Sequence, residues 1–263
     1  MRLRRMLRAG VLGGGGVAPP AWTPASTTTD GGISPHTWLY PDVGLYQNLA
    51  GTTPAVSDGD VVGNWTNQGS DASAFVQNTA DYMPLLKLNI VNGQSVLRFD
   101  GVNDYLVGSF TGGISQPSTL FVVAQLAAGS VNDGAIHAII DGDDSSRESR
   151  VIQYSGVNPD AWRITAGTAL TGGDSDGNWN IWTVLWNGAT SQFWLNGLSE
   201  ASGNAGAEAP NGLTIGAQYN VAVPWSGDIA EILWYPGNLS DADKNEVGQY
   251  LATKYALSYT PIT

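Results

Sequence analysis

Residues 227–257, "GDIAEILWYPGNLSDADKNEVGQYLATKYAL", contain one apolar segment and one helical segment, and this pair decides the fold. The apolar segment follows Gly227, is short, and is rich in branched and aromatic residues, which predicts a β-strand. Side chains alternate between the two faces of a strand. The expected members of the two faces are Ile229, Glu231 and Leu233 on one side and Ala230, Ile232 and Trp234 on the other.

The second half of this stretch predicts an amphipathic helix over about residues 240–256. Ser240, with Asp243 three residues later, resembles the capping box that starts many helices. An apolar stripe at helical spacing follows, formed by Val247, Tyr250, Leu251 and Tyr255. We expect this helix to dock through that stripe on the strands that precede it.

Most of the remaining chain alternates between turn signals and short apolar runs. From about His36 onward, turns rich in Gly, Asn and Asp recur every 8 to 15 residues. The runs at 180–188 ("NIWTVLWNG") and 191–197 ("SQFWLNG") lie close together and predict a hairpin. Many short strands at this spacing predict an all-β fold, a two-sheet antiparallel sandwich with one C-terminal helix.

Composition and charge exclude several classes of function. The chain has 263 residues, no cysteine and a formal net charge of −12, so disulfides and thiolate metal sites are excluded. Arg2, Arg4, Arg5 and Arg8 meet no acidic residue within residues 1–8, whereas the rest of the chain has 7 basic and 23 acidic residues. Such an acidic body repels polyanions, so nucleic acid is not an expected partner. The sequence contains no run of 18 apolar residues, so it predicts no transmembrane helix.

Residues 1–35 differ in composition from everything that follows. The glycine run Gly13–Gly16 and the Pro19–Pro20 pair show no strand or helix periodicity. We therefore expect an extended, basic arm over residues 1–35 and a β-domain over residues 36–263.

The arm has three interpretations: an export signal, a nucleic-acid-binding arm and a docking arm. Its apolar segment is half glycine, which is too weakly hydrophobic for a typical signal peptide. Its arginines lack the interleaved aromatic residues of a dedicated nucleic-acid binder. We favour a docking arm that binds an acidic, partly apolar groove on a neighbouring subunit. Its binding residues would be Arg2, Arg4, Arg5, Met6, Leu7 and Arg8.

Three stretches together, residues 50–84, 92–106 and 227–257, resemble the concanavalin-A-like, laminin-G-like jelly-roll domains. The strongest marks are "FDGVNDYL" at 99–106 and the C-terminal strand followed by its helix. The resemblance covers roughly residues 36–258 and implies a jelly-roll sandwich. Within the group it is nearest to versions found in tailed-phage structural proteins and bacterial surface proteins.

The resemblance implies a non-enzymatic structural protein of the phage virion, on the surface of the extracellular particle. A capsid decoration protein is slightly favoured over a tail- or fibre-associated one. Its arm would bind capsid or tail subunits, and its lectin-like domain would contact host glycans; a homo-oligomer is compatible with this role. The alternative is a secreted or cell-surface bacterial carbohydrate-binding module.

Catalytic patterns are not evident. Hydrolases of this fold group use paired glutamates on one strand. None of the five glutamates has an acidic partner in a strand pattern; they are Glu148, Glu200, Glu208, Glu231 and Glu246. His36 and His137 form neither a triad signature nor a metal-ligand pair, and His137 is expected to be a packed strand residue. An aspartate pair assembled from distant loops stays open as an alternative.

No cofactor is required, and Ca²⁺ is the one metal that the sequence accommodates. "DGDDSS" places Asp141, Asp143 and Asp144 close together, and clustered loop carboxylates suit a calcium ion. The same residues are also ordinary turn formers, so a turn without metal is the alternative.

Glycan binding requires an exposed aromatic platform with polar groups around it. Trp179 and Trp225 lie beside loop residues and are the candidates for this platform. The strand tryptophans Trp182, Trp186 and Trp194 are expected in the core.

Overall fold

The computed structural model describes residues 23–24, 32–157 and 159–263. Within them it contains one α-helix, α1 (Asp241–Tyr255), and seventeen strands. The strands are β1 (Thr37–Leu39), β2 (Leu45–Tyr46), β3 (Asn64–Thr66), β4 (Ala74–Val76), β5 (Leu85–Val91), β6 (Gln94–Asp100), β7 (Leu106–Ser109), β8 (Ser118–Leu126), β9 (His137–Asp141), β10 (Arg150–Tyr154), β11 (Ala161–Thr165), β12 (Ala169–Asp174), β13 (Trp179–Trp186), β14 (Ser191–Leu195), β15 (Leu198–Gly203), β16 (Gly212–Ile215) and β17 (Ser226–Pro236).

The strands form two antiparallel sheets. Sheet A has the order β15-β14-β13-β8-β17-β6-β5, with β1 also paired to β17, and sheet B has the order β12-β11-β10-β9-β16-β7-β4-β3-β2. Trp65 and Phe75 of sheet B are buried in one core with Trp186 and Trp234 of sheet A. The predicted all-β sandwich is therefore confirmed, and the predicted hairpin is β13–β14.

Helix α1 covers the outer face of sheet A. The Ser240 hydroxyl oxygen accepts a hydrogen bond from the backbone N–H of Asp243 at 3.2 Å, which confirms the predicted start of the helix. The helix then buries its apolar stripe against the sheet. The cluster includes Val247, Leu251 and Tyr255 from the helix with Phe121, Ile181 and Leu233 from the sheet.

A β-bulge in β17 changes the alternation expected for that strand. The pairing of β17 with β8 shifts between Ile229 and Glu231. Ile229 consequently lies in the core between the sheets, whereas Ala230 packs toward the helix with Leu233. The expected faces were wrong for Ile229 and Ala230 because the bulge inserts one extra residue. It also leaves Glu231 under α1.

The "FDGVNDYL" motif is a compact loop between β6 and β7. Phe99 and Leu106 are buried in the core, as expected for the ends of this motif. The Asp100 carboxylate accepts hydrogen bonds from the backbone N–H groups of Val102 and Asn103. Asp104 accepts one from the N–H of Asp100 at 2.9 Å, and burial raises its pKa to about 7.

Only part of the predicted arm is among the described residues. Arg2, Arg4, Arg5, Met6, Leu7 and Arg8 lie outside them. The Pro24 carbonyl accepts a hydrogen bond from the Tyr235 hydroxyl at 2.9 Å, and Ile33 packs on the cluster that holds α1. The boundary at residue 35 stays a prediction. In the described part of the chain, no helix has the length and apolarity needed to span a membrane.

Candidate functional site

A groove of about 380 Å³ lies on the outer face of sheet B, at its β9–β12 end. Ala138, Ile152 and Thr165 form its floor, one from each of β9, β10 and β11. Its walls come from the segment before β10, the turn after β11 and the loop between β16 and β17. This face carries no helix among the described residues, unlike the outer face of sheet A.

Strand alternation places the groove side chains. β10 and β11 pair so that Ile152 lies opposite Arg163 and Val151 lies opposite Ile164. Val151 and Ile164 point into the core, so Ile152 and Arg163 point out of the sandwich. The same alternation turns Tyr154 toward the groove.

The Arg163 guanidinium lies over the ring of Tyr154. Its Cζ is 3.2 Å from the centre of the Tyr154 ring, and its Nε donates a hydrogen bond to the Thr171 hydroxyl at 2.9 Å. A Cβ placed on Gly156 would lie 2.0 Å from the Tyr154 hydroxyl, so the tyrosine lies directly against the Gly156 backbone. Tyr154 thus lies between the Gly156 backbone and the Arg163 guanidinium, and these contacts restrain Tyr154 and Arg163.

Arg150 is the second guanidinium of the groove. Its Nη2 forms an ion pair with Glu148 Oε1 at 2.5 Å. Its Nε is buried without a hydrogen-bond partner and lies 3.9 Å from Asp141 Oδ2. Arg150 is therefore positioned by two carboxylates but is only partly hydrogen-bonded.

Asp141 ties the walls of the groove together. Its buried carboxylate accepts hydrogen bonds from the backbone N–H groups of Gly142 at 2.7 Å, Ser149 at 3.3 Å and Tyr219 at 3.1 Å. Burial raises its pKa to about 6, against the effect of these hydrogen bonds and of Arg150. The carboxylate consequently joins β9 to the loops on both sides of the groove.

Each of the three aspartates considered as calcium ligands accepts a hydrogen bond from a backbone N–H, and Asp143 and Asp144 both lie close to Arg147 Nη1, at 3.7 Å and 3.2 Å. Asp143 accepts a hydrogen bond from the Asn211 N–H at 3.0 Å. Asp144 accepts from the backbone N–H of Ser146 at 2.8 Å and forms an ion pair with Arg147. The structure brings no group of three His, Cys, Asp or Glu side chains into metal-binding positions within residues 32–157 and 159–263. In this structure Asp141 shapes the loops by hydrogen bonds to backbone N–H groups.

The loop between β16 and β17 has a strained backbone. Val221 and Val223 have φ angles of 57° and 58°, a left-handed conformation that is rare for β-branched residues. The Ala138 N–H donates to the Val223 carbonyl at 3.2 Å, and His137 Nδ1 donates to the Pro224 carbonyl at 2.9 Å. Strand β9 thus holds this wall in place, and His137 is the packed strand residue that was expected. Strained loops of this kind occur preferentially at ligand sites.

The two tryptophans considered as a glycan platform lie elsewhere. Trp225 is 1% exposed in the core, and its backbone N–H donates to the Gly216 carbonyl, so its expected exposure was wrong. Trp179 is partly buried and packs with the cluster on the outer face of sheet A. Neither lines the groove. Trp182, Trp186 and Trp194 are buried, as expected for strand residues.

Sequence reasoning missed Tyr154, Arg150 and Arg163 as site residues. A signal for them exists in the strands "RVIQY" (150–154) and "AWRIT" (161–165), where polar or aromatic residues alternate with apolar ones. Such alternation places an arginine and a tyrosine on the outer face, but pairs of this kind also simply stabilise a sheet, so the pattern alone does not indicate a site. Which strands pair could not be read from the sequence.

No protein-family model matches the sequence, and no curated protein matches it. Solved structures do match the fold. The chain is similar to the botulinum neurotoxin serotype D binding domain, with a TM-score of 0.58 and 12% identity over 83% of this chain and 51% of that chain. It is also similar to the receptor-binding domain of botulinum neurotoxin mosaic serotype C/D, with a TM-score of 0.56 and 11% identity over 82% of this chain and 51% of that one.

A third similar structure is a variant of a GH54 α-L-arabinofuranosidase, with a TM-score of 0.55 and 11% identity over 74% of this chain and 51% of that chain. The chain thus spans about half the length of each of these structures. At these identities the likeness establishes the fold, a two-sheet β-sandwich of the jelly-roll, lectin-like type, and function has to be argued from the site.

Proposed function

We propose that this protein is a non-enzymatic, glycan-binding β-sandwich that holds a saccharide in the groove on the outer face of sheet B. The observation that carries the proposal is the groove itself: a walled cavity of about 380 Å³ in which positioned polar groups lie beside the partly exposed side chains of Ile136 and Val223. Ligand sites combine an apolar, concave surface with a few positioned polar groups in this way. The GH54 α-L-arabinofuranosidase of similar fold, which was soaked with an arabinofuranoside, supports a saccharide ligand as an analogy.

The groove has the chemical groups that a sugar requires. Ile136 and Val223, which line the groove and are partly exposed, offer apolar contacts to the C–H face of a sugar ring. Gln218, Thr165 and the guanidinium groups offer hydrogen-bond donors and acceptors to its hydroxyl groups. Because Tyr154 and Arg163 hold each other, little side-chain entropy is lost on binding.

Two of the five glutamates, Glu148 in the groove and Glu231 under α1, already form ion pairs. Glu148 forms an ion pair with Arg150, and Glu231 is buried under α1 on the opposite side of the sandwich. A groove that binds without catalysis is compatible with this placement. A screen of glycosidic substrates is expected to give binding without turnover, and hydrolysis lost on a change of a groove carboxylate would contradict that expectation.

A groove-filling variant tests the location of the site. Ala169 is exposed on the edge strand β12 and lines the groove, so Ala169→Trp should fill the cavity without disturbing the core. Ser202→Trp, on the exposed edge strand β15 of sheet A, is the matched control. On a glycan array, we expect the Ala169 variant to lose binding and the Ser202 variant to retain it. Equal binding by both variants would refute the groove as the site.

We further propose that the protein is a virion component, displayed at the particle surface and attached through residues 1–16. The sequence resemblance to phage structural domains and the separation of a basic arm from an acidic body support this role. Deletion of residues 1–16 is expected to leave a folded domain that fails to join particles, measured by occupancy on purified virions. Normal occupancy of the truncated protein would exclude attachment by the arm, and binding of its glycan by that protein would still support the groove.

A further inference from the structure

We propose that the groove selects anionic saccharides, and that Arg163 binds their carboxylate or sulfate group. This inference rests on the proposed glycan-binding function and specifies the class of sugar. It follows from the ion pairs of the described residues.

Seven lysines and arginines lie outside residues 1–8. All of them belong to the described part of the chain, and six form an ion pair with a carboxylate there: Lys87, Arg98, Arg147, Arg150, Lys244 and Lys254. Arg163 has no carboxylate partner among the described residues. An unpaired guanidinium is notable in a protein with 23 acidic residues, because each of the other six lysines and arginines in the described part of the chain has a carboxylate partner.

Arg163 is nevertheless held in a defined position. The Tyr154 ring supports its face and Thr171 accepts from its Nε, so its orientation is fixed while its terminal nitrogens form no hydrogen bond with any described residue. A guanidinium binds a carboxylate through parallel N–H donors. The fixed, unpaired edge of Arg163 is suited to that geometry.

The two guanidinium groups that line the groove differ in how their charges are balanced. Arg150 lies beside Glu148 and the buried Asp141. Glu208 adds a carboxylate at the same wall, where it accepts a hydrogen bond from the backbone N–H of Glu148. Arg163 pairs with none of these carboxylates, so its charge is available to attract an anionic group locally.

The chemistry of the ligand follows from these contacts. The ring of a sugar would lie against Ile136 and Val223, and Arg163 would bind a negative group that the ring carries. A carboxylate on a uronic or sialic acid and a sulfate ester both meet this description. The two differ in shape, since a carboxylate is planar and a sulfate is tetrahedral.

The test is a glycan array on which each acidic saccharide is printed beside its neutral counterpart. The pairs are uronic acid and hexose, sialylated and desialylated glycan, and sulfated and unsulfated glycan. We expect the acidic member of the best-bound pair to be preferred, and the identity of that pair distinguishes carboxylate from sulfate. Added salt should weaken this preference because part of it is electrostatic.

Variants of the full chain locate the effect. Arg163→Gln is expected to weaken binding of the preferred acidic glycan about tenfold or more, since hydrogen bonds to charged groups are the strong ones. Binding of the neutral counterpart should change little. Arg163→Lys should fall between, because it keeps the charge but not the planar fork. Lys87→Gln, which removes a cation of β5 in sheet A, is the matched control and should bind as the wild type does.

The outcomes separate the two proposals. Equal binding of acidic and neutral partners, or an Arg163→Gln variant that keeps the acidic preference, overturns the anionic selectivity while the glycan-binding function stands. Binding of no saccharide of either class overturns both.

Discussion

The two outer faces of the sandwich differ in whether a charged side chain is buried and paired. On sheet A, the Glu231 carboxylate is 0% exposed and accepts hydrogen bonds from four partners: Trp38, Tyr250, Lys254 and Tyr255. On sheet B, the Arg163 guanidinium lines an open groove and has no carboxylate partner among the described residues. One face is closed by a helix and its charge is satisfied, whereas the other face is open and its charge is not.

This difference separates stability from binding. A buried carboxylate persists only when donors and a cation compensate for its lost hydration. Glu231 meets that condition, so its network attaches α1 to the sheet. A cation that lines a groove stays partly hydrated and needs no internal partner, so Arg163 remains available to a ligand. Changes on the first face are therefore expected to alter unfolding, and changes on the second to alter binding.

The largest effect is expected from Glu231→Ala. The substitution removes the acceptor shared by Lys254 and Tyr255 and leaves the Trp38 indole N–H without its partner. Breaking a buried, hydrogen-bonded ion pair costs about 3–5 kcal/mol, measured by urea unfolding. Glu231→Gln keeps an acceptor, so its free energy of unfolding should fall less. Lys87→Gln removes a partly exposed ion pair, and its free energy of unfolding should fall little. If Glu231→Ala unfolded at the same urea concentration as the wild type, the Glu231 network would not be what attaches α1 to sheet A.

A second effect is a pH dependence of stability, and it comes from the buried carboxylate of Asp104. Glu231 is paired with Lys254, whereas Asp104 has no such cation among the described residues. Asp104 has no ion pair in the described chain, and burial raises its pKa from 3.8 to about 7. Between these values the folded state binds more protons than the unfolded state, so stability rises as the pH falls from about 7 toward 4. Asp141, with its pKa raised to about 6, acts in the same direction.

The pH effect is measured as the free energy of unfolding in urea at pH 7.5 and pH 5. We expect a gain on the order of 2 kcal/mol toward the lower pH, since each unit of pKa shift is worth about 1.4 kcal/mol. Asp104→Asn should keep the acceptor for the Asp100 N–H and remove most of this gain. A variant with the same pH dependence as the wild type would show that Asp104 does not titrate in this range.

A smaller loss is expected from Ser240→Ala at the start of α1. The substitution removes the hydroxyl that caps the Asp243 N–H, and losing such a cap costs about 1 kcal/mol. Thermal unfolding measures this cost. Glycan binding by the folded variant should be unchanged, because the helix and the groove are on opposite faces. A loss of binding with unchanged stability would contradict the separation of the two faces.

The smallest effect is expected from Gly156→Ala in the groove. The new methyl group would overlap the Tyr154 hydroxyl, so the ring must shift and Arg163 with it. We expect acidic glycans to bind about two- to fivefold more weakly, in line with the ~0.5–1 kcal/mol of an exposed cation–π contact. Gly112→Ala, where an added Cβ meets no atom within 4 Å, is the control. Unchanged affinity in Gly156→Ala would show that the position of Tyr154 does not matter.

The fold could be predicted further than the site. Turn spacing, the β13–β14 hairpin and the Ser240 cap depend on neighbouring residues, and the structure confirms them. The bulge in β17 depends on pairing with a strand about a hundred residues away, so simple alternation misplaced Ile229 and Ala230.

The site residues depend on contacts between strands. Trp225 was expected at the surface because it follows a loop, yet sandwich packing buries it. Tyr154 and Arg163 meet across two strands, and only the register between β10 and β11 brings them together. The partners of Glu231 come from β1 and α1, so its sequence neighbours did not reveal them. Features set by neighbouring residues can be predicted from a sequence. Contacts between strands can be predicted only when the register of strand pairing is known.

The most direct test of the whole account is hydrogen–deuterium exchange with and without the best-bound acidic glycan. We expect the ligand to slow exchange in residues 148–154, 163–169 and 218–223, which form the groove, and to leave α1 unchanged. Protection confined to α1 and β17, with no change in the groove segments, would contradict the assignment of binding to the open face of sheet B.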